Sequence, residues 1–140
     1  QPVPEEDLIV ALTVSQLVGP DLSYVHPDPI RAVAKRFPGL SIVIAHACWP
    51  WTTLACALAF ECQNVYLLPD CYMNESAPGV GDYVNAANSF HVDHMLFGTA
   101  YPVRPLGSSV RNFMALPLTD EARENLLWRN AQHLLDWPKE

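Results

Sequence analysis

Apolar residues along this chain gather into short continuous runs, separated by longer stretches with helical spacing. Four runs stand out: Leu8–Val14, Ser41–Ala45, Asn64–Leu68 and His94–Gly98. They are continuous rather than alternating and rich in Val, Ile and Leu, the habit of parallel strands buried on both faces. In Asp28–Phe37, Asp28 is a candidate N-cap and Pro29 takes the first helical position. Ile30, Val33, Ala34 and Phe37 then form one apolar stripe, which Pro38-Gly39 ends. Further helices are predicted over about Thr52–Gln63, about Asp82–Phe90 and about Pro105–Ala115, with a last one from a capping Thr119 to about Leu135.

Strand and helix alternating at this spacing is a β/α series around a parallel sheet, so the fold class is α/β. Four parallel β/α units amount to half of a (β/α)8 barrel, which takes about 250 residues. The 140 residues therefore read as a single (β/α)4 domain, residues 1–140. The alternative is a small open, doubly wound sheet, although a flavodoxin-like order uses five strands.

Composition narrows the partners. Half of the residues are hydrophobic and 16% are charged, against a usual charged share of about 25%. That excludes a disordered chain and implies that much of the surface is covered by something. Eight Lys and Arg against 15 Asp and Glu give a net charge of −7, with no basic cluster, which excludes nucleic acid. No stretch approaches the ~18 apolar residues of a membrane-spanning helix. Gln1–Asp7 show no basic region followed by an apolar core, so no signal peptide is expected. The 13 prolines fall between the apolar runs as punctuation. Cys48, Cys56, Cys62 and Cys71 form no CxxC pair, which argues against structural zinc. They are expected to be reduced thiols in a cytoplasmic setting, with one or two bridges in an oxidising compartment as the alternative.

In a parallel α/β architecture, ligands meet the C-terminal ends of the strands. There the chain places Thr13, then His46 with Trp49-Pro50-Trp51, then Asp70 with Cys71 and Tyr72, then Thr99, Tyr101 and Arg104. His46 and Asp70 are the candidate catalytic pair, an imidazole base with a carboxylate. Thr13, Trp49, Trp51, Tyr72, Thr99, Tyr101 and Arg104 are the candidate substrate-binding residues. Each has a purely structural reading: a satisfied core histidine, a capping aspartate, a packing corner of tryptophans. His26 and His91 are expected to be solvated, and His94 and His133 to be structural.

Three segments in order carry a resemblance: Phe37-Pro38-Gly39-Leu40-Ser41-Ile42-Val43-Ile44-Ala45-His46, then Phe97-Gly98-Thr99-Ala100-Tyr101-Pro102, then Asn130-Ala131-Gln132-His133-Leu134-Leu135. Together they resemble the amidohydrolase-related family of the TIM-barrel fold, which includes aminocarboxymuconate-semialdehyde and resorcylate decarboxylases. The resemblance implies strands five to eight of such a barrel, and a hydrolase or decarboxylase acting on a small carboxylated or carbonyl substrate. It puts the family's acid/base histidine on His46. The metal-binding histidine after strand five falls at about Thr13, and the aspartate after strand eight falls on Ala100. The paired His-x-His of strand one lies upstream of the matched region. The family implies a divalent metal such as Zn, but of its ligand set none is assigned here. The alternative is a non-catalytic binding or structural remnant, or a fragment of a longer barrel. The expected partners are a small-molecule substrate and either a second copy of the chain or an N-terminal half-barrel.

Overall fold

The computed structural model describes residues 8–138. The segment on which the signal-peptide expectation rests lies outside them. Three parallel strands, β1 (Ile9–Thr13), β2 (Ser41–Ala45) and β3 (Val65–Leu68), lie side by side in sequence order. Their register pairs Val10 with Ile42 and Leu12 with Ile44, and then Ile42 with Val65 and Ile44 with Leu67. Side chains alternate across a strand, so these six share one face, which is buried over β2 and β3. Thr13, Ala45 and Leu68 share the other.

The fourth apolar run joins the sheet only as a single parallel bridge, Leu67 with Met95. Its backbone then leaves the ladder. The Phe97 N–H donates to Leu126 O at 2.9 Å, a carbonyl inside a π-helical turn, Asn125–Arg129, of the last helix. Such a wide turn disturbs the regular i→i−4 ladder and leaves a carbonyl open to an outside donor. Gly98 permits the close approach: a Cβ there would meet Leu68 Cδ1 at 2.8 Å and Asp70 Cβ at 3.4 Å.

The expectation that every strand is buried on both faces holds only for the middle of β2 and fails for β1. Ile42 and Ile44 on one face and Val43 on the other are buried, though Ala45 at the strand's end is only half-buried, whereas Leu8, Ile9 and Val10 are each exposed. β1 is an edge, with no neighbour on its far side among the described residues.

Helix α1 (Asp28–Arg36) starts one residue earlier than the pattern implies. Pro27 is the cap, and Asp28 sits in the first turn, where it pairs with Arg31 at 3.2 Å. α2 (Thr52–Glu61) is apolar all round, and Ala55, Leu58 and Ala59 are fully buried against the sheet. α3 (Val80–Ala87) and α4 (Leu106–Ala115) follow. The last helix runs as α5 (Asp120–Glu124), the π turn and α6 (Asn130–Leu134), and the Thr119 hydroxyl caps it by accepting from the Ala122 N–H. Asn64 reaches three carbonyls, Ala34 O, Phe37 O and Leu40 O, and so fixes the end of α1 against the sheet. Asn130 does the same for Val92 O and Met95 O. His91 corrects the sequence reading: it is 1% exposed, packed between Phe60 and Phe90, with Nε2–H donating to Cys56 O.

Candidate functional site

His46 and Asp70 come together because β2 and β3 are adjacent and parallel, with Ala45 beside Leu68 at their C-terminal ends. One residue past Ala45 and two past Leu68, the chain turns sharply at the same rim. The His46 imidazole Nδ1 lies 3.0 Å from Asp70 Oδ1 and 2.9 Å from Oδ2. The His46 backbone N–H donates to Oδ2 at 3.2 Å, and the Cys71 N–H donates to Oδ1. The carboxylate, 6% exposed, is thus saturated by donors from its own turn and from the histidine. Because a carboxylate only accepts, the proton of this contact sits on Nδ1, and Nε2 lies outside it.

Both turns use backbone that only strong local constraint tolerates. His46, Ala47 and Cys48 have φ of 66°, 42° and 59°, and Asp70 has 43°. For L-residues this left-handed region presses Cβ on the following carbonyl oxygen. Such residues cluster where a side chain must be aimed.

Tyr72 presents its edge to His46, with ring centroids 6.2 Å apart, and its face to Trp49, stacked at 4.6 Å and 6°. The Trp49 indole N–H donates to Pro78 O at 2.8 Å. A cavity of about 360 Å³ opens beside this group and brings together Trp49, Asp70, Tyr72 and Arg104 of the residues expected from sequence. Among the described residues the Arg104 side chain makes no hydrogen bond or ion pair. Cys71, Asn74, Ser108, Ser109 and Asn112 also line the cavity. Sequence reasoning missed Asn74, farther along the turn after β3, and the last three, which come from the helix after the fourth run and not from a strand end. A larger open depression of about 720 Å³ lies far from this chemistry, on the last helix, between Trp128 and Trp137.

The other expected residues do not line the cavity, and His46 meets it only through Asp70 and Tyr72. The Trp51 indole donates to Leu22 O at 3.1 Å and meets His26 edge-on at 5.2 Å, a packing corner against the turn after β1. Thr13 ends β1 beside Ala45 on the uncovered face. The Thr99 hydroxyl accepts from the Tyr101 N–H, and Tyr101 itself is 73% exposed.

The cysteines are free: Cys48, Cys56 and Cys62 are buried, and Cys71 is half-buried. Burial first, and then the hydrogen bond with Asp70, pushes the Cys71 thiol up to about 12. Ligand atoms of His46, Asp70 and Cys71 lie within 4.8 Å of one another, a donor group of the size a metal ion needs. In this structure the Asp70 oxygens and His46 Nδ1 are engaged with each other, so an ion held there would displace that hydrogen bond and the thiol proton.

The amidohydrolase family pattern matches residues 7–137. No curated protein sequence matches the chain. Among solved structures, an uncharacterized TIM-barrel protein from Bordetella bronchiseptica is 40% identical with a TM-score of 0.88, over 94% of this chain and 46% of that one. A dihydroxybenzoic acid decarboxylase from a Polaromonas species, with bound manganese and the inhibitor 2-nitroresorcinol, is 16% identical with a TM-score of 0.62 over 85% and 40%. A 2,6-dihydroxybenzoate decarboxylase from Rhizobium is 15% identical with a TM-score of 0.62 over 86% and 44%. The latter two share the fold. This chain spans less than half the length of each. Its parallel sheet and successive βα turns are those of a partial TIM barrel. With the family pattern running across nearly all of that partial barrel, the chain belongs to the amidohydrolase family.

Proposed function

We propose that this segment contributes the acid/base half of a barrel that hydrolyses or decarboxylates a small carboxylated or carbonyl compound. His46 Nε2 exchanges the proton, and Asp70 holds the imidazole in the tautomer that leaves Nε2 bare. Arg104 takes the substrate carboxylate, and the stacked Trp49–Tyr72 pair forms a flat wall beside it. The supporting observation is the contact of His46 Nδ1 with both Asp70 oxygens at 3.0 and 2.9 Å. The likeness to two decarboxylases of dihydroxybenzoates guides the choice of assay.

The barrel is completed by four further β/α units, from an N-terminal half or from a second copy of the chain. The exposed β1 edge and the exposed Leu127, Trp128 and Trp137 of the last helix and the residues just after it support this. Sedimentation of the chain alone tests it: association is expected, and a stable 15.6 kDa monomer contradicts it. A divalent ion such as zinc would need ligands from an N-terminal half, because the positions matched to family ligands here are Thr13 and Ala100, which a second copy would only repeat. A cytoplasmic setting belongs to the same proposal, since the cysteines are unpaired. No helix among the described residues is long and apolar enough to cross a membrane.

The test is carbon dioxide release from a panel of hydroxybenzoates, alongside amide and lactone hydrolysis, by the completed barrel. His46→Gln is expected to lower turnover by about 100-fold or more. Unchanged turnover in that variant removes His46 from the chemistry. The second reading, a non-catalytic binding module, is favoured by Thr13 and Ala100, which supply no metal ligand. Hydroxybenzoate binding by calorimetry with no turnover in any assay selects it.

A further inference from the structure

Tyr83 lies on α3 and is fully buried. Its hydroxyl donates to Ala47 O at 2.9 Å. Ala47 is the middle residue of the left-handed turn His46–Cys48.

The backbone bonds of that turn explain why such a donor is needed. Trp49 N–H donates to His46 O at 2.9 Å, and Trp51 N–H donates to Cys48 O at 2.8 Å. Each bond joins residues three apart. Between them, the donor to Ala47 O would be residue 50, which is proline and has no N–H. The carbonyl is buried, since Ala47 is 0% exposed, so leaving it unpaired would be costly. The tyrosine hydroxyl stands where the missing amide would have been. Burial pushes its phenol up, which keeps the donor protonated.

We infer that Tyr83 is a positioning residue for His46. By supplying the donor that Pro50 lacks, it holds Ala47 left-handed and so keeps the imidazole Nδ1 on Asp70. The inference rests on the proposed role of the His46–Asp70 pair and assigns what maintains its aim.

The experiment is proton–nitrogen NMR of the histidine rings in the 140-residue chain, with His46 assigned by the signals lost in His46→Gln. In the unsubstituted chain, a proton on Nδ1 and a bare Nε2 are expected. A chain lacking that signature overturns the His46–Asp70 reading itself. Tyr83→Phe is expected to lose the Nδ1–H resonance of His46 and to melt a few degrees lower. Tyr83→Phe that melts lower yet keeps the resonance shows a merely structural tyrosine and overturns the inference alone. Glycine adopts the left-handed conformation without strain. Adding Ala47→Gly to Tyr83→Phe is therefore expected to restore the resonance. Should the single variant not fold, the double variant decides. Recovery of fold and resonance supports the assignment, and failure of either overturns it.

Discussion

The middle and the flanks of one rim differ sharply. The turns after β2 and β3 are closed: Ala47 and Cys48 are 0% exposed and Asp70 is 7%. The turns after β1 and after the fourth run are open, with Leu17 at 84%, Val18 at 72%, Tyr101 at 73% and Val103 at 82%. All four follow strands or strand-like runs of one parallel sheet, so local sequence does not make the difference. Neighbours do. The middle turns each have a chain segment on both sides, while β1 lacks one among the described residues and the fourth run peels away to Leu126. A barrel rim is built turn by turn from its neighbours, and aimed chemistry appears where both are present.

The largest expected effect lies beneath the closed turns. Leu58→Ala removes a fully buried side chain of α2 and is expected to cost about 3–4 kcal/mol in urea unfolding. A cost below about 1 kcal/mol would mean a loosely packed centre. Next is Asp70→Ala, which strips the acceptor from His46 Nδ1, His46 N–H and Cys71 N–H. A loss of about 2–3 kcal/mol is expected. A neutral effect would show that the closed turn does not depend on its carboxylate.

Acid is expected to act through His91. Burial, the foremost cause, lowers its pKa below the ordinary value. The unfolded chain then binds a proton there more readily than the folded one. The stability His91 contributes is full above its unfolded pKa of about 6.5 and is lost as pH falls through the lower folded value. The urea midpoint is expected to fall between pH 7.5 and pH 5.5, and less so in His91→Phe. An equal fall in both would exclude His91 as the source. The smallest effects belong to the open flanks. Val18→Ala and Val103→Ala are each expected to stay within about 0.5 kcal/mol of the unsubstituted chain. Larger losses, measured the same way, would show that these turns are covered in solution and would erase the contrast.

Much of the scaffold was legible along the chain. The continuous runs Ser41–Ala45 and Asn64–Leu68 specify buried parallel strands, and Thr119 marks a helix start that the structure keeps. Continuity of apolar residues does not report whether a strand has neighbours, which is why β1 reads like β2 and is nonetheless exposed. The fourth run carries the same signal, but a carbonyl in the π turn of a distant helix claims Phe97 N–H. No local pattern contains that competition. At the site, the strand-end rule selects His46 and Asp70 because both lie one or two residues past a strand. It does not select Tyr83, Ser108 or Asn112, whose helices bring them to the rim through tertiary packing. His91 follows an exposed-looking Ser89-Phe90 loop, and only the groove beside α2 buries it.

The central claim is that Asp70 fixes His46 with Nδ1 protonated and Nε2 free at the rim. The most direct measurement is the pair of ring nitrogen shifts of His46 above neutral pH, in the unsubstituted chain and in Asp70→Ala. The account predicts the Nδ1–H tautomer in the first and its loss in the second. An Nε2–H tautomer in the first, or the same signature in both, would contradict it.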